Sequence, residues 1–329
     1  MSPLAAGLAA LIAGAAGAYR TWRARRVEGR FEARYATRRG PDGVLLGAEP
    51  FTRTGNGDRA IVLFHGYNDS PHTMRAVADA LQQAGWTVYV PLLPGHGRSL
   101  SDFAAARADD WVASARAAVG QALAQHPRVA VGGLSLGGAL AMIVAAEQPS
   151  VRAAVLFSPF LVQHWRLTLM ASVWPLLTLG MKYLTGSATA RSIRDPKARA
   201  AFIAYGCSTP RLLREVQRIA RRAYAALPAV HQPVWIAQSG DDYRIPAEEA
   251  QDAFDTLGSR DKGIQWTTGN GHVITVDYGH QELTAAAVAW LEERVPATTG
   301  QPGILSQSVA SARHIGAQGM SESHGQEIG

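Results

Sequence analysis

The stretch Gly132-Gly-Leu-Ser-Leu-Gly-Gly138 constrains this chain more tightly than any other part of it. It contains G-x-S-x-G and lies between Val129-Ala-Val131, which reads as a strand, and Leu136 to Glu147, which reads as a helix. A strand that turns at once into a helix needs residues without side chains at the crossing, and Gly133 and Gly137 supply them. Such a turn projects the Ser135 hydroxyl beyond the end of the sheet. The dipole of the following helix points at the same place.

The rest of the sequence extends that strand–helix unit. Short apolar segments over 59–64, 86–90, 151–157, 234–238 and 264–267 read as strands, and 74–84, 111–124 and 283–294 as helices. Their alternation predicts an α/β fold: a doubly wound, mostly parallel sheet with helices on both faces. Between Ser158 and Val230 the alternation stops. An apolar run, Leu167 to Met181, precedes a basic amphipathic helix near Arg211 to Tyr224. The expectation is a helical cap inserted between strands over about 158–230, placed to roof a crevice at the C-terminal strand ends. Two other readings of the apolar run stay open: simple packing onto the sheet, or a dip into a membrane surface.

Charge excludes one class of partner. Of 32 Lys and Arg, eight arginines fall in residues 1–40 (Arg20, Arg23, Arg25, Arg26, Arg30, Arg34, Arg38 and Arg39) with two glutamates. The other residues carry 24 basic and 24 acidic groups, so the +6 net charge is local and a nucleic-acid-binding body is not expected. The lone Cys207 rules out an internal disulfide framework and a multi-cysteine zinc site, and reads as a small buried filler. No H-E-x-x-H, P-loop or dinucleotide-binding glycine motif is present, so no metal and no cofactor are expected.

The ends read separately from the body. Pro3 to Tyr19 is uncharged, and as a helix it would reach about 26 Å, within the range that spans a bilayer. Residues 1–19 are therefore expected to be a single-pass anchor and 20–47 a basic juxtamembrane segment. Arginines on the C-terminal side would keep the body, 48–295, in the cytoplasm at the cell membrane. A cleaved signal peptide is the second reading, with Ala16-Gly17-Ala18 as its site and the body exported, although no positive residues precede the apolar run. A soluble alanine-rich helix is the third. Residues 296–329, rich in Gly, Ser, Gln and Thr, are expected to form a disordered tail. The oligomeric state is not legible.

A serine hydroxyl is a weak nucleophile and needs a base. Of the histidines beyond Ser135, His164 lies in the insertion, His231 begins a strand, and His280 reads as a surface residue at a helix start. His272 sits in the glycine-rich loop Thr267-Thr-Gly-Asn-Gly-His272, directly after the last strand, where a base belongs. The base in turn needs a carboxylate. Asp241 and Asp242 follow the 234–238 strand. Asp242 is preferred, because the Asp-x-x-Ile-Pro spacing puts it on the strand-end turn, and Asp241 then serves the turn itself. Two backbone N–H groups must receive a developing oxyanion: that of Leu136, after the serine, and that of Tyr67, in the loop His65-Gly-Tyr-Asn-Asp-Ser70. His65 reads as a buried residue that orients this loop.

His65-Gly66-Tyr67, Pro94-Gly95-His96-Gly97, the Gly133–Gly137 turn, Asp242 and Gly271-His272-Val-Ile-Thr275 together resemble the α/β-hydrolase family over about residues 48 to 294. More narrowly they resemble its bacterial carboxylesterase and monoacylglycerol lipase branch. The resemblance implies the α/β-hydrolase fold, with nucleophile Ser135, acid Asp242, base His272 and oxyanion donors Tyr67 and Leu136. The expected reaction is hydrolysis of a small ester or lipid through an acyl-enzyme, the apolar insertion favouring an acyl chain. Competing readings keep the same residues for amide or aminopeptidase, thioesterase or acyl-transfer chemistry, or make the chain a non-catalytic membrane-tethered binding protein.

Overall fold

A computed structural model describes residues 2–161, 169, 173, 182–185 and 189–298. His164, nearly all of the apolar run Leu167 to Met181 and nearly all of the expected tail lie outside the described residues.

Among the described residues seven strands build the central sheet: β1 (Phe51–Arg53), β2 (Arg59–Phe64), β3 (Thr87–Val90), β4 (Arg128–Leu134), β5 (Val151–Phe157), β8 (Val234–Ser239) and β9 (Lys262–Thr267). Their order is β1-β3-β2-β4-β5-β8-β9, with all neighbours parallel except the edge pair β1 and β3. The mostly parallel sheet agrees with the sequence reading. β2 and β8 are buried along their whole length, as expected of strands covered on both faces. Strand β1 escaped the sequence because three residues between Glu-Pro and Thr-Gly-Asn-Gly carry too little periodicity to register.

Helices cover both faces. On one side α2 (Arg75–Gln83) and α10 (His280–Arg294) pack over Ile61, Leu63, Val155 and Phe157. On the other lie α4 (Ala108–Gln125), α5 (Leu136–Glu147), α8 (Pro210–Ala226) and α9 (Ala247–Thr256), over Val62, Phe64, Val131 and Leu156. Helix α5 is apolar nearly all round and buried nearly all round, wedged between the sheet, α4 and α8. Helix α3 (Leu100–Ala105) begins in a reciprocal capping box between Ser99 and Asp102.

The insertion is not purely helical where it is described. Strands β6 (Leu184–Thr185) and β7 (Cys207–Ser208) pair antiparallel, flanking the short helices α6 (Thr189–Ser192) and α7 (Pro196–Ala201). Two-residue strands leave no pattern that a sequence reading can use.

The amino-terminal helix α1 (Pro3–Tyr35) runs without a break through both the apolar stretch and most of the arginine block. Ser2 caps it by accepting the N–H of Ala5. Among the described residues it is the one helix long and apolar enough to cross a membrane, and none of its apolar window is buried. Its far end behaves differently. Phe31 and Tyr35 are buried in the body, and Val44, Leu45 and Ala48 follow them into the same core. Glu28, one turn earlier, accepts from Lys182 Nζ at 2.7 Å and from the Tyr183 hydroxyl at 2.5 Å. The packed body therefore begins near residue 31 rather than at 48. Burying two aromatic side chains contributes roughly 1.5–3 kcal/mol each to that docking.

Candidate active site

The junction between β4 and α5 holds Ser135 at φ 53°, ψ −112°, a left-handed conformation for a residue with a side chain. Such strain persists only where surroundings enforce it. Here the Ser135 N–H donates to Phe157 O at 2.9 Å on the neighbouring strand. A Cβ at Gly133 would sit 2.5 Å from the Gly137 carbonyl carbon, and one at Gly137 would press into the Phe64 carbonyl oxygen. Both positions admit only hydrogen because two strands and a helix meet there.

Above this turn the structure brings together the three side chains that the sequence selected. The His272 Nε2 lies 2.9 Å from Ser135 Oγ, and His272 Nδ1 lies 2.7 Å from Asp242 Oδ2. An Nδ1–H donated to the carboxylate leaves Nε2 free to accept from the serine hydroxyl. Asp242 is buried, and its Oδ1 accepts the N–H of Arg244 at 2.8 Å and of Ile245 at 3.3 Å. Gln238 Nε2 adds a bond to Oδ2 at 3.2 Å. Burial works against a charge here, but the adjacent imidazole and these backbone amides outweigh it and hold the Asp242 carboxyl below its ordinary value. Asp241 is turned the other way: its Oδ2 accepts from Gly269 N at 2.8 Å and pairs with Arg194 at 3.2 Å.

The other histidines among the described residues fall outside this line. His280 starts α10 and bonds the Asp277 carbonyl, while His231 precedes β8 at the surface. His65 is fully buried: its Nε2 accepts the Leu93 N–H at 3.1 Å, which leaves Nδ1–H to donate to Gly66 O at 2.9 Å. It ties the loop after β2 to the loop after β3. Cys207 is a buried free thiol, and burial pushes its pKa up to about 11.

Two buried carboxylates to which the sequence reading assigns no role organise the loops on either side of Ser135. Asp69 accepts from Gly66 N, Ser70 N and the Thr73 hydroxyl, so it closes the loop that carries Tyr67. Burial raises its pKa to about 7. Asp277 accepts four backbone N–H groups: Gly271 at 2.7 Å, Arg194 and Asp195 at 2.8 Å, and Tyr278 at 2.9 Å. It fastens the His272 loop to the cap. Neither could be told in sequence from a surface aspartate, because what distinguishes them is the set of amides that the fold aims at them.

A cavity of about 530 Å³ opens over Ser135 and His272. Gly66, Tyr67, Asn68, Leu134 and Leu136 line its floor, and Phe160, Leu184, Phe202, Leu213 and Val216 give it apolar walls. Among the described lining residues Asp69 is the one acid and Arg244 the one Lys or Arg. No cluster of His, Cys, Asp and Glu able to hold a metal occurs among the described residues.

Sheet order, strained serine turn and hydrogen-bonded Ser135, His272 and Asp242 define an α/β-hydrolase. The chain belongs to the serine aminopeptidase S33 family of these proteins (Hydrolase_4), whose sequence pattern matches residues 55–278. It is 30% identical over 242 residues to the thermostable monoacylglycerol lipase of Bacillus sp. strain H-257, an overlap covering 71% of this chain and 90% of the relative. The carboxylesterase of Bacillus subtilis strain 168 is 22% identical over 231 residues, covering 70% and 90% respectively. A solved structure reported for the metagenome-derived lipolytic enzymes LipS and LipT superposes with a TM-score of 0.70 at 27% identity, covering 76% of this chain and 99% of that one. Family and branch agree with the motifs.

Proposed function

We propose that the protein hydrolyses carboxylic esters, of the monoacylglycerol type, through an acyl-enzyme. The observation that carries this reading is the unbroken run of hydrogen bonds from Ser135 through His272 to Asp242 at the floor of a largely apolar cavity. Ser135 Oγ attacks the ester carbonyl as its proton passes to His272 Nε2. Asp242 fixes the imidazole tautomer and stabilises the imidazolium, which then protonates the departing alcohol. Backbone N–H groups of Tyr67 and Leu136 receive the oxyanion. Water repeats the sequence on the acyl-enzyme and returns the free acid.

The cavity wall supports an acyl substrate. Each methylene moved out of water onto Phe160, Phe202, Leu213 and Val216 is worth about 0.8 kcal/mol. An aminopeptidase would have to hold an α-ammonium group. The one acid among the described lining residues, Asp69, is already engaged by three donors within its own loop. Names of the two Bacillus relatives support the ester over the amide.

The same reading places the protein at a membrane. The exposed apolar part of α1 inserts in the bilayer, and the arginines after it face an anionic leaflet, with the catalytic body on the cytoplasmic side.

A fluorophosphonate should label the wild-type chain at Ser135, and Ser135→Ala and His272→Ala should each abolish labelling and ester turnover. Rates over esters of increasing acyl length, with and without lipid vesicles, should rise with length and with vesicles. Absence of label on the wild type would sink the hydrolase reading. Faster cleavage of aminoacyl anilides than of acyl esters would replace the substrate.

A further inference from the structure

The end of α1 that enters the body reaches the loop proposed to hold the oxyanion. Its partner is the segment 203–208. Phe31 stacks on Tyr205, ring centroids 5.1 Å apart and planes 17° from parallel, and the Tyr35 hydroxyl donates to Ala204 O at 3.2 Å. Tyr205 is itself fixed on three sides. Its ring lies 4.1 Å from that of Phe103, its hydroxyl donates to Gly95 O at 3.0 Å, and the same oxygen accepts the Arg98 N–H at 3.1 Å. From this segment two bonds run to the loop after β2. The Tyr205 N–H donates to Asn68 Oδ1 at 2.9 Å, and the Tyr67 and Ser208 hydroxyls lie 2.6 Å apart.

Asn68 is the strained point of that loop, at φ 57°. Asparagine tolerates the left-handed region better than most residues, but the conformation still has to be held by its surroundings. On the other side of Tyr67 the Gly66 N–H is held by Asp69. The backbone around the Tyr67 N–H is thus fixed from within by Asp69 and from outside by Tyr205 through Asn68.

We infer that the body-facing end of α1 is a positioning element of the oxyanion loop, acting through Tyr205 and Asn68. The inference rests on the reading of Tyr67 N–H as an oxyanion donor. Stabilisation of this kind depends on donors fixed in place before reaction, so a loop left to sample other conformations loses it. Because the bond to the oxyanion is made in the transition state, loosening the loop lowers kcat and leaves KM nearly unchanged. The helix therefore has two roles divided along its length: its exposed part serves the membrane and its buried turn serves the site.

The test uses the full chain in detergent with a short-chain soluble p-nitrophenyl ester, so that membrane attachment drops out of the rate. Phe31→Ala and Asn68→Ala should each lower kcat about 3- to 10-fold with KM within about twofold, the pattern of a lost transition-state contact. Because both act on one chain of contacts, the double variant should be no slower than the worse single one. Val288→Ala, a cavity in the opposite helical layer, provides a folded control of comparable Tm loss and should keep kcat. If Phe31→Ala does not fold, Tyr35→Phe removes only the bond to Ala204 and should lower kcat by about twofold. Unchanged kcat in these folded variants, additive losses, or an equal loss in Val288→Ala would each overturn the inference. A wild type that neither turns over esters nor labels at Ser135 would instead remove the reading beneath it.

Discussion

At Asp242, the acid of the proposed mechanism, burial is set against hydrogen bonding. The carboxylate is surrounded by donors, and its lowered pKa keeps it charged well into acid. A group depressed in the folded state contributes stability above its unfolded pKa, near 3.9, and loses that contribution as pH falls through the folded value. Asp242→Asn keeps the shape but cannot hold His272 in the productive tautomer. Turnover should fall by roughly 10⁴-fold, with Tm within a few degrees of wild type. A kcat within tenfold of wild type would show that another group orients the imidazole. Gly137 poses the steric counterpart. Alanine there meets the Phe64 carbonyl oxygen, and a backbone that must shift between two buried elements should cost about 3 kcal/mol or more. Denaturant titration measures this directly, and a Gly137→Ala protein of wild-type stability would mean that the turn yields without cost.

Among the elements, α1 shows best how one helix can serve two environments. Its first five turns expose Leu4, Leu8, Leu11 and Ile12, while its last turn buries Phe31 and Tyr35. Between them, Arg20, Arg25, Arg26 and Arg30 stay on the surface. Attraction of such residues to anionic lipid is screened by salt. Changing those four arginines to Gln should weaken binding to phosphatidylserine-containing vesicles several-fold per residue at low salt and leave soluble-ester turnover unchanged. Flotation assays read the first outcome and p-nitrophenyl acetate the second. Vesicle binding that survives both the four changes and high salt would assign attachment to the apolar stretch alone.

At the scale of the molecule, two buried histidines link stability to pH. His96 packs among Phe103, Trp111, Tyr67 and Tyr205, its Nδ1 bonds Pro94 O, and its Nε2 has no partner among the described residues. Burial lowers its pKa to about 4, and that of His65 beside it well below the ordinary value. Between pH 6.5 and 4 the unfolded chain binds protons that the native protein refuses, so stability falls as pH falls. Asp69, raised by burial to about 7, acts in the opposite direction over much of the same window. The clean quantity is therefore a difference. The stability of wild type relative to His96→Phe should decline by about 3 kcal/mol from pH 7 to pH 4, measured by urea titration at each pH. A difference independent of pH would mean that His96 takes up its proton in the native protein as readily as in the unfolded chain.

The strands, the Gly133–Gly137 turn and the order of Ser135, Asp242 and His272 were legible in the sequence, because each leaves a local mark: an apolar run, a glycine where a side chain cannot fit, a titratable residue just after a strand. The edge strand Phe51–Arg53 and the pair Leu184–Thr185 with Cys207–Ser208 were not, since two or three residues carry no period. Asp69 and Asp277 were hidden for a different reason. Their meaning lies in amides contributed by distant segments, such as Arg194 and Asp195 for Asp277. The sequence alone also determined that positive charge is gathered behind an apolar stretch near the amino terminus. Only the tertiary structure decided that the same helix continues through most of the charge to Tyr35 and packs against the segment that holds the Tyr67 loop, because burial is settled by what lies opposite a residue in space.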